Sequence, residues 1–196
     1  ERIQKLPPAV LGKSLSGELN SMKHARQYML ESVQDILQTL AKTGGMAMEQ
    51  VHHVTQSIMA DTLGHEEACI AMIRTRAFSP ALYDHALTVS TLAVLLGRAV
   101  GLTETALQHL AVAGLLHDSG LLKIPQSLHR PLNQLSDSEL GVYHTHPRRG
   151  VEMLTKQATL ADEVETLIRE HHIALDGSGY PSSLEPPKHP IPTRIL

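Results

Sequence analysis

Aromatic residues and cysteine are both scarce in this sequence of 196 residues. Phe, Trp and Tyr together make up 3% of it, Trp is absent, and Cys69 is the single cysteine. One cysteine cannot form an internal disulfide, which predicts a reducing, cytoplasmic setting. A core with so few rings must be built from aliphatic side chains and methionine, and such a core favours packing of helix against helix.

Long apolar runs and a strong net charge are also missing. The apolar runs at 70–73 and 91–96 are cut short by Arg74 and Arg98, and neither approaches the length of a membrane span. A net charge of −3 gives no general attraction for a nucleic acid polymer or an acidic membrane. Because 42% of the residues are hydrophobic, the composition predicts a folded chain rather than a disordered one.

What the sequence does contain is helical periodicity. Residues 1–18 carry Pro7, Pro8, Gly12 and Gly17 and are expected to be irregular. Beyond them, apolar residues at spacings of three and four predict an all-α fold with helices at about 20–42, 48–63, 65–76, 80–100, 103–118, 147–156 and 160–172, and a short helix after 136. Strand alternation is absent, although residues 180–195 could form a small irregular hairpin. The first three helices carry no chemical motif, so residues 1–78 form a predicted N-terminal helical region.

Helix start signals support these assignments. Ser79-Pro80 and Thr103 are each typical of an N-terminal cap, and Ser136 with Glu139 has the spacing of a capping box. In the helix at 80–100, the predicted inward face consists of Leu82, His85, Ala86, Val89, Ala93 and Leu96. His85 is therefore expected on the buried stripe, where a hydrogen-bonded core histidine is the alternative to a metal ligand.

Histidine is abundant, and its placement is more informative than its number. The sequence has thirteen histidines. Predicted helix ends or starts carry His117-Asp118, His146 and His171-His172. Asp118 falls at a helix C-terminus, where its negative charge opposes the helix dipole, and a cation beside it would compensate. His52-His53 is different, because adjacent residues on a helix point about 100° apart and chelate poorly.

Five imidazoles and one carboxylate exceed what a single zinc site needs. The lack of thiolates argues against a structural zinc finger, whereas mixed nitrogen and oxygen ligands suit Fe, Mn, Zn or Ni at an open site. An aspartate can bridge two such ions, with a water between them as nucleophile. That arrangement suits in-line displacement at phosphorus, so the residue types indicate a metal centre that hydrolyses a phosphodiester.

Longer motifs strengthen this interpretation. His117-Asp118 behind an apolar helix resembles the HD-domain phosphohydrolases, and His146-Pro147-x-x-Gly150 with His171-His172-x-x-x-Asp176-Gly177-x-Gly179-Tyr180-Pro181 resembles the HD-GYP family of bacterial cyclic di-GMP phosphodiesterases. The resemblance covers about residues 79–196 and implies an HD-type helical core with an irregular GYP loop.

The resemblance also implies a binuclear site and a substrate. It implies two divalent metal ions, with Fe or Mn favoured and Zn or Ni as alternatives, held by His85, His117, Asp118, His146, His171 and His172. His117 and Asp118 are the expected catalytic residues, and Lys123, Gly179 and Tyr180 the expected substrate-binding residues. Cyclic di-GMP would be cleaved to a linear dinucleotide, to GMP or to both. GGDEF-domain proteins at the GYP loop and a homodimer are the expected protein partners.

The sequence also departs from the family pattern. Leu121 stands where the family has a lysine thought to contact the phosphate, Ile173 and Ala174 replace a Glu-Arg pair, and Ala81 replaces a ligand for a third metal. The sequence ends at Leu196, where the family has a further aspartate ligand, so we expect a C-terminally incomplete domain without its closing helices, and no turnover by these 196 residues alone. These departures keep two alternatives open: a degenerate module that binds metal, cyclic dinucleotide or a partner without turnover, and a phosphodiesterase for a related cyclic dinucleotide.

Overall fold

The fold is all-α, as the sequence predicts. A computed structural model describes residues 8–75, 82–181 and 190–196, and within them there is no β-strand, only an isolated bridge between Ile173 and Gly179. The helices are α1 (Pro8–Thr43), α2 (Met48–Gly64), α3 (Glu66–Thr75), α4 (Leu82–Ala99), α5 (Glu104–Leu116), α6 (Asp137–Tyr143), α7 (His146–Leu154), α8 (Asp162–Glu170) and α9 (Ile191–Ile195). Three short 3-10 turns, Ser119–Lys123, Gln126–Leu128 and Leu132–Gln134, connect α5 to α6.

The two ends of the chain differ from the prediction. Helix α1 begins at Pro8, so the prediction of an irregular segment is wrong for residues 8–18. Proline is tolerated in a first helical turn because its missing N–H would have no partner there, and each glycine inside a helix costs only about 1 kcal/mol relative to alanine. The predicted hairpin at 180–195 is wrong for residues 191–195, which form α9 with a proline in its first turn, and residues 182–189 lie outside the described residues. The predicted cap at Ser79-Pro80 lies outside the described residues.

The two remaining predicted caps are confirmed. The Thr103 hydroxyl accepts a hydrogen bond from the Ala106 N–H at 3.3 Å. At the start of α6, the Ser136 hydroxyl accepts from the Glu139 N–H at 3.4 Å, and the Glu139 carboxylate accepts from the Ser136 N–H at 2.8 Å. The cap at Ser136 ends the loop that follows α5 and thereby fixes where α6 begins.

Helix α5 lies at the centre of the core. Its buried residues pack with those of α1, α2, α4, α7 and α8 in one hydrophobic cluster. The closest approach is to α4, where a Cβ added at Gly114 would lie 2.7 Å from the Ser90 Cα, and the Ser90 hydroxyl donates to the Ala111 carbonyl at 2.7 Å. This contact holds the end of α5, and with it His117, beside α4.

The prediction that His85 lies on the buried stripe of α4 is wrong. Half of the His85 side chain is exposed (50%), and Leu96 is 51% exposed. The buried face of α4 instead carries polar residues whose groups are paired: Asp84 accepts from Arg26, and the Thr91 hydroxyl donates to the Leu87 carbonyl. Because these polar residues can be buried, the helix is rotated relative to a purely apolar stripe.

The N-terminal helices share the core described above. Met29, Val33 and Leu40 of α1 and Val51 and Ile58 of α2 belong to the same cluster as the α5 residues. Because the two regions share this cluster, their division into separate domains at residues 1–78 and 79–196 stays a prediction. None of the helices in the described ranges combines the length and the apolar character that crossing a membrane requires.

Candidate metal centre

Five histidines surround the carboxylate of Asp118. His85 comes from α4, His117 and Asp118 follow α5 directly, His146 is the first residue of α7, and His171-His172 follow α8. They form two groups that share Asp118: one with His146, His171 and His172, the other with His85 and His117. In each group the potential ligand atoms all lie within 4.8 Å of one another. The structure thus brings together all the residues that the resemblance implies as metal ligands.

The two oxygens of Asp118 face different histidines. Its Oδ1 lies 3.2 Å from the Nε2 of His146 and 3.6 Å from that of His171. Its Oδ2 lies 3.4 Å from the Nε2 of His117 and 3.7 Å from that of His85. One oxygen therefore serves each group, which is the arrangement a carboxylate needs to bridge two cations.

Three of the imidazoles are oriented by backbone carbonyls in the last turn of a helix. The Nδ1–H of His117 donates to the Gly114 carbonyl at 2.9 Å, that of His146 to Tyr143 at 2.9 Å, and that of His171 to Ile168 at 2.8 Å. Carbonyls at helix C-termini lack helical partners and are free to accept these bonds. With the proton on Nδ1, the Nε2 lone pair of each ring points to Asp118, as a metal ligand requires.

The electrostatics of the centre favour a cation. Burial, the strongest influence, would raise the pKa of Asp118, but the charge of His117 and hydrogen bonds from His117, His146 and His171 hold it well below its usual range. Burial alone would lower the pKa of His117, whereas the charge and hydrogen bond of Asp118 and the Gly114 carbonyl raise it. Burial, followed by the charges of His171 and His146, lowers the pKa of His172 to about 3. The result is an ionised carboxylate beside His171 and His172, whose pKa values are lowered chiefly by burial.

Two glycines allow the segments to come this close. A Cβ added at Gly120 would overlap the His146 carbonyl oxygen and lie 2.6 Å from the Gly150 nitrogen. The turn that follows Asp118 therefore packs backbone to backbone against the first turn of α7. The glycines of the His117-Asp118-x-Gly and His146-Pro-x-x-Gly motifs face each other and set the distance between Asp118 and His146.

The predicted GYP loop folds back over the end of α8. The Tyr180 N–H donates to the His172 carbonyl at 3.2 Å, and Gly179 has a φ of +97°, with no room for a Cβ beside that carbonyl. The Tyr180 ring stacks on His144, with centroids 3.9 Å apart, and contacts His172 at 4.5 Å. Gly179 and Tyr180 thus lie at the rim of the histidine cluster.

A cleft of about 360 Å³ opens beside Asp118. It is lined by Leu82, His85, Asp118, Leu121, His129, Arg130, Pro131 and Tyr143. Leu121, which stands at the position of the family's lysine, is on its wall. Lys123 does not line the cleft; it is exposed, and its carbonyl accepts from Arg149 at 3.4 Å. Sequence reasoning missed Arg130, whose only local signal is its position before Pro131.

Comparison with known proteins gives consistent results. The sequence model described as "HD domain" matches residues 67–196. A cyclic di-GMP phosphodiesterase of Pseudomonas aeruginosa is 30% identical over 142 residues, which are 71% of this chain and 34% of that protein. A cyclic di-GMP phosphodiesterase response regulator of Xanthomonas campestris is 35% identical over 109 residues, 55% of this chain and 29% of that protein. The chain spans about a third of the length of these relatives.

Two further comparisons extend the set. A 3′3′-cGAMP-specific phosphodiesterase of Vibrio cholerae is 32% identical over 142 residues, 68% of this chain and 32% of that protein. Among solved structures, an HDG"Y"P protein from Bdellovibrio bacteriovorus has the same fold, with a TM-score of 0.64 and 21% identity over 78% of this chain and 49% of that one. The chain belongs to the HD domain family, and the motifs around its histidine cluster are those of the HD-GYP group.

Proposed function

We propose that this chain is the core of a metal-dependent phosphodiesterase that hydrolyses cyclic di-GMP to a linear dinucleotide, to GMP or to both, in bacterial signalling. One observation carries the proposal: each oxygen of Asp118 faces its own group of histidines. A shared carboxylate between two sets of nitrogen ligands suits a binuclear centre, and binuclear centres suit displacement at phosphorus.

The donor set fits two divalent ions, with Fe or Mn favoured and Zn or Ni as alternatives. Imidazole nitrogens with one carboxylate and no thiolate match the preferences of these metals. His85, His117 and the Oδ2 of Asp118 form one half of the site, and His146, His171, His172 and the Oδ1 form the other. When bound, such ions act as Lewis acids and lower the pKa of a coordinated water. Asp118 and His117 are the proposed catalytic residues because they lie where the two halves meet.

The names of the relatives support a cyclic dinucleotide as the substrate class. Two relatives are named for cyclic di-GMP and one for 3′3′-cGAMP, so the latter dinucleotide is the second candidate substrate. Gly179 and Tyr180, at the rim of the cluster, are proposed substrate-binding residues, and Lys123 stays a candidate from the sequence. GGDEF-domain proteins at the GYP loop and a second copy of the chain are the proposed protein partners.

The alternative is a module that binds without turnover. It is favoured by Leu121 on the cleft wall and by Ile173 and Ala174, which replace a charged pair in the GYP loop. This module would bind metal, cyclic dinucleotide or a partner protein, and it differs from the enzyme in lacking hydrolysis.

Metal analysis combined with a cyclic di-GMP hydrolysis assay on the purified protein separates them. We expect bound metal and slow hydrolysis by the full-length protein, and Asp118→Ala in that protein should abolish both because it removes the shared ligand. Asp35→Ala, an exposed aspartate on α1, is the matched control and should change neither. A metal-loaded protein that binds cyclic di-GMP and never cleaves it would leave the binding module as the function.

A further inference from the structure

Arg130 brings a permanent positive charge into the cleft beside the metal centre. Among the described residues that line this cleft, Arg130 is the one arginine, and there is no lysine. The cleft also reaches Asp118 and His85, so a ligand in it would lie between the histidine cluster and the guanidinium. On the same wall, Leu121 offers an anionic ligand no hydrogen bond.

The guanidinium is held in one orientation. Its Nη1 donates to the Ser127 carbonyl at 2.7 Å, and its Nη2 donates to the Gln134 carbonyl at 3.2 Å. Nη2 also bonds to Glu139, at 2.9 Å from Oε1 and 3.0 Å from Oε2. Glu139 is in turn fixed by the capping box at Ser136. A cation anchored in this way loses little conformational entropy when a ligand binds.

These bonds leave part of the donor capacity unused. A guanidinium has five N–H groups. The bonds to Ser127, Gln134 and Glu139 account for those on Nη2 and Nε and for one on Nη1. The second Nη1–H has no acceptor among the described residues. The Arg130 side chain is 36% exposed, so this group is accessible to a ligand.

We propose that Arg130 binds a phosphate oxygen of the nucleotide in the cleft and supplies the positive charge that Leu121 does not. The carboxylate of Glu139 offsets part of this charge and thereby weakens the binding of the phosphate. This inference rests on the proposed function, because it assigns a residue to the substrate of the same site. Arginine suits the role because its planar fork stays charged at all relevant pH values and hydrogen-bonds to phosphate oxygens.

The test compares four variants with the parent chain: Arg130→Gln, Arg130→Lys, Glu139→Gln and the control Arg148→Gln. Arg148 is an exposed arginine that also pairs with a glutamate, Glu152, but lies outside the cleft lining. Glu139→Gln keeps the capping box, in which glutamine replaces glutamate, and removes the negative charge from Arg130. The probes are cyclic di-GMP and bis(4-nitrophenyl) phosphate, a phosphodiester without a base. Binding is measured by calorimetry, and unfolding of each variant is followed by circular dichroism.

We expect Arg130→Gln to weaken binding of both probes about 10- to 100-fold, the range for a hydrogen bond to a charged group. Arg130→Lys should lose less, because it keeps the charge. Glu139→Gln should tighten binding about two- to fivefold, because it removes a partly exposed counter-charge. A merely structural Arg130 predicts the opposite for Glu139→Gln, since breaking the same ion pair would then weaken binding as Arg130→Gln does.

The outcomes separate this inference from the proposed function. If the full-length protein hydrolyses cyclic di-GMP and Arg130→Gln binds both probes as Arg148→Gln does, the inference is wrong and the function stands. If the parent chain does not bind cyclic di-GMP but Arg130→Gln still weakens binding of bis(4-nitrophenyl) phosphate, the inference stands and the substrate assignment is wrong.

Discussion

At the scale of single residues, the centre is organised by where its protons lie. The Nδ1–H of His117 donates to the Gly114 carbonyl, so an additional proton on this ring can only sit on Nε2, facing Asp118. That atom is also the proposed metal ligand. A proton and a metal ion therefore compete for the same nitrogen, and the raised pKa of His117 strengthens the competition from the proton.

We predict that pH affects the metal-free and metal-loaded proteins in opposite directions. Because the folded-state pKa of His117 is raised, its contribution to stability is present below about pH 6.5, the usual histidine pKa, and is lost as pH rises through the folded pKa. The metal-loaded protein should gain stability over the same range, because its histidines must be neutral to bind. Urea unfolding at several pH values above 6.5, with EDTA and with Mn²⁺, measures both slopes.

His172→Ala provides the control for this experiment. The pKa of His172 is lowered to about 3, so this ring is already neutral in the metal-free protein and holds no competing proton. The variant should weaken metal binding and leave the pH slope of the metal-free protein unchanged above about pH 7.5, where this histidine is neutral in the unfolded chain as well. If the parent protein binds metal equally well from pH 6 to pH 9, His117 is not a ligand.

Leu121 gives a second prediction at this scale. Leu121 is half-buried against a small cluster formed by Ile124, Leu128 and Leu135, and it also lines the cleft. The carbon chain of a lysine can replace that packing while its ammonium group reaches the cleft. A positioned charge typically contributes about 10²–10³ in rate. In the full-length protein, Leu121→Lys should therefore raise kcat for cyclic di-GMP by a factor of up to about 10²–10³, whereas Leu121→Met should not raise it. Equal kcat values in the two variants would contradict the prediction.

At the scale of elements, sequence reasoning works where the information is local. The caps at Thr103 and Ser136 and the helical periodicity of α5 can be predicted because each depends on residues within a few positions. The rotation of α4 cannot, because burying Asp84 depends on Arg26, 58 residues away in the sequence. Arg130 is missed for the same reason: the cleft exists only after α4, the turn after α5 and α6 have packed together.

The contact between Gly120 and the start of α7 leads to a prediction about an element. Gly120→Ala places a methyl group against the His146 carbonyl and the Gly150 nitrogen, which are backbone atoms that cannot rotate away. We expect a destabilisation of about 1–3 kcal/mol or more, typical of overpacking. Metal affinity should fall too, because α7 carries His146 away from Asp118. Calorimetric metal titration and urea unfolding measure the two effects.

Gly141→Ala is the matched control for Gly120→Ala. Gly141 lies in α6, is exposed, and has no atom within 4 Å of an added Cβ. Alanine has the higher helix propensity, so this variant should be as stable as the parent chain or up to about 1 kcal/mol more stable. Unchanged metal affinity in Gly120→Ala would show that the spacing of these segments does not set the geometry of the site.

At the scale of the whole molecule, the histidine cluster is assembled from residues 87 positions apart in sequence, between His85 and His172. The motifs identify which residues converge, because each motif is contiguous. They do not show that α1 and α2 share the core with α5, since the N-terminal region contains no chemical motif. The packing of α1 and α2 against α5 decides whether the N-terminal region folds separately, and helical periodicity in the sequence does not reveal which helices pack together.

The ion pair between α1 and α4 tests how closely the two regions are coupled. Arg26 donates to Asp84 at 2.8 Å and to the Thr88 hydroxyl at 3.2 Å, and the side chains of Arg26 and Asp84 are 14% and 10% exposed. Asp84 directly precedes His85. Breaking a buried pair typically costs about 3–5 kcal/mol, and Asp84 has further interactions, so Arg26→Leu should destabilise the protein by about 3 kcal/mol.

The same variant should also weaken metal binding, because a shift of Asp84 moves His85 in the first half of the centre. Gln27→Ala, which removes an exposed hydrogen bond to Glu31 on the same helix, is the control and should leave both quantities unchanged. With α1 in the common core, Arg26→Leu should unfold in one cooperative transition, and Mn²⁺ should raise its midpoint. Two transitions, only the second of which responds to Mn²⁺, would show instead that the N-terminal helices form a domain of their own and that the boundary predicted at residue 78 is real.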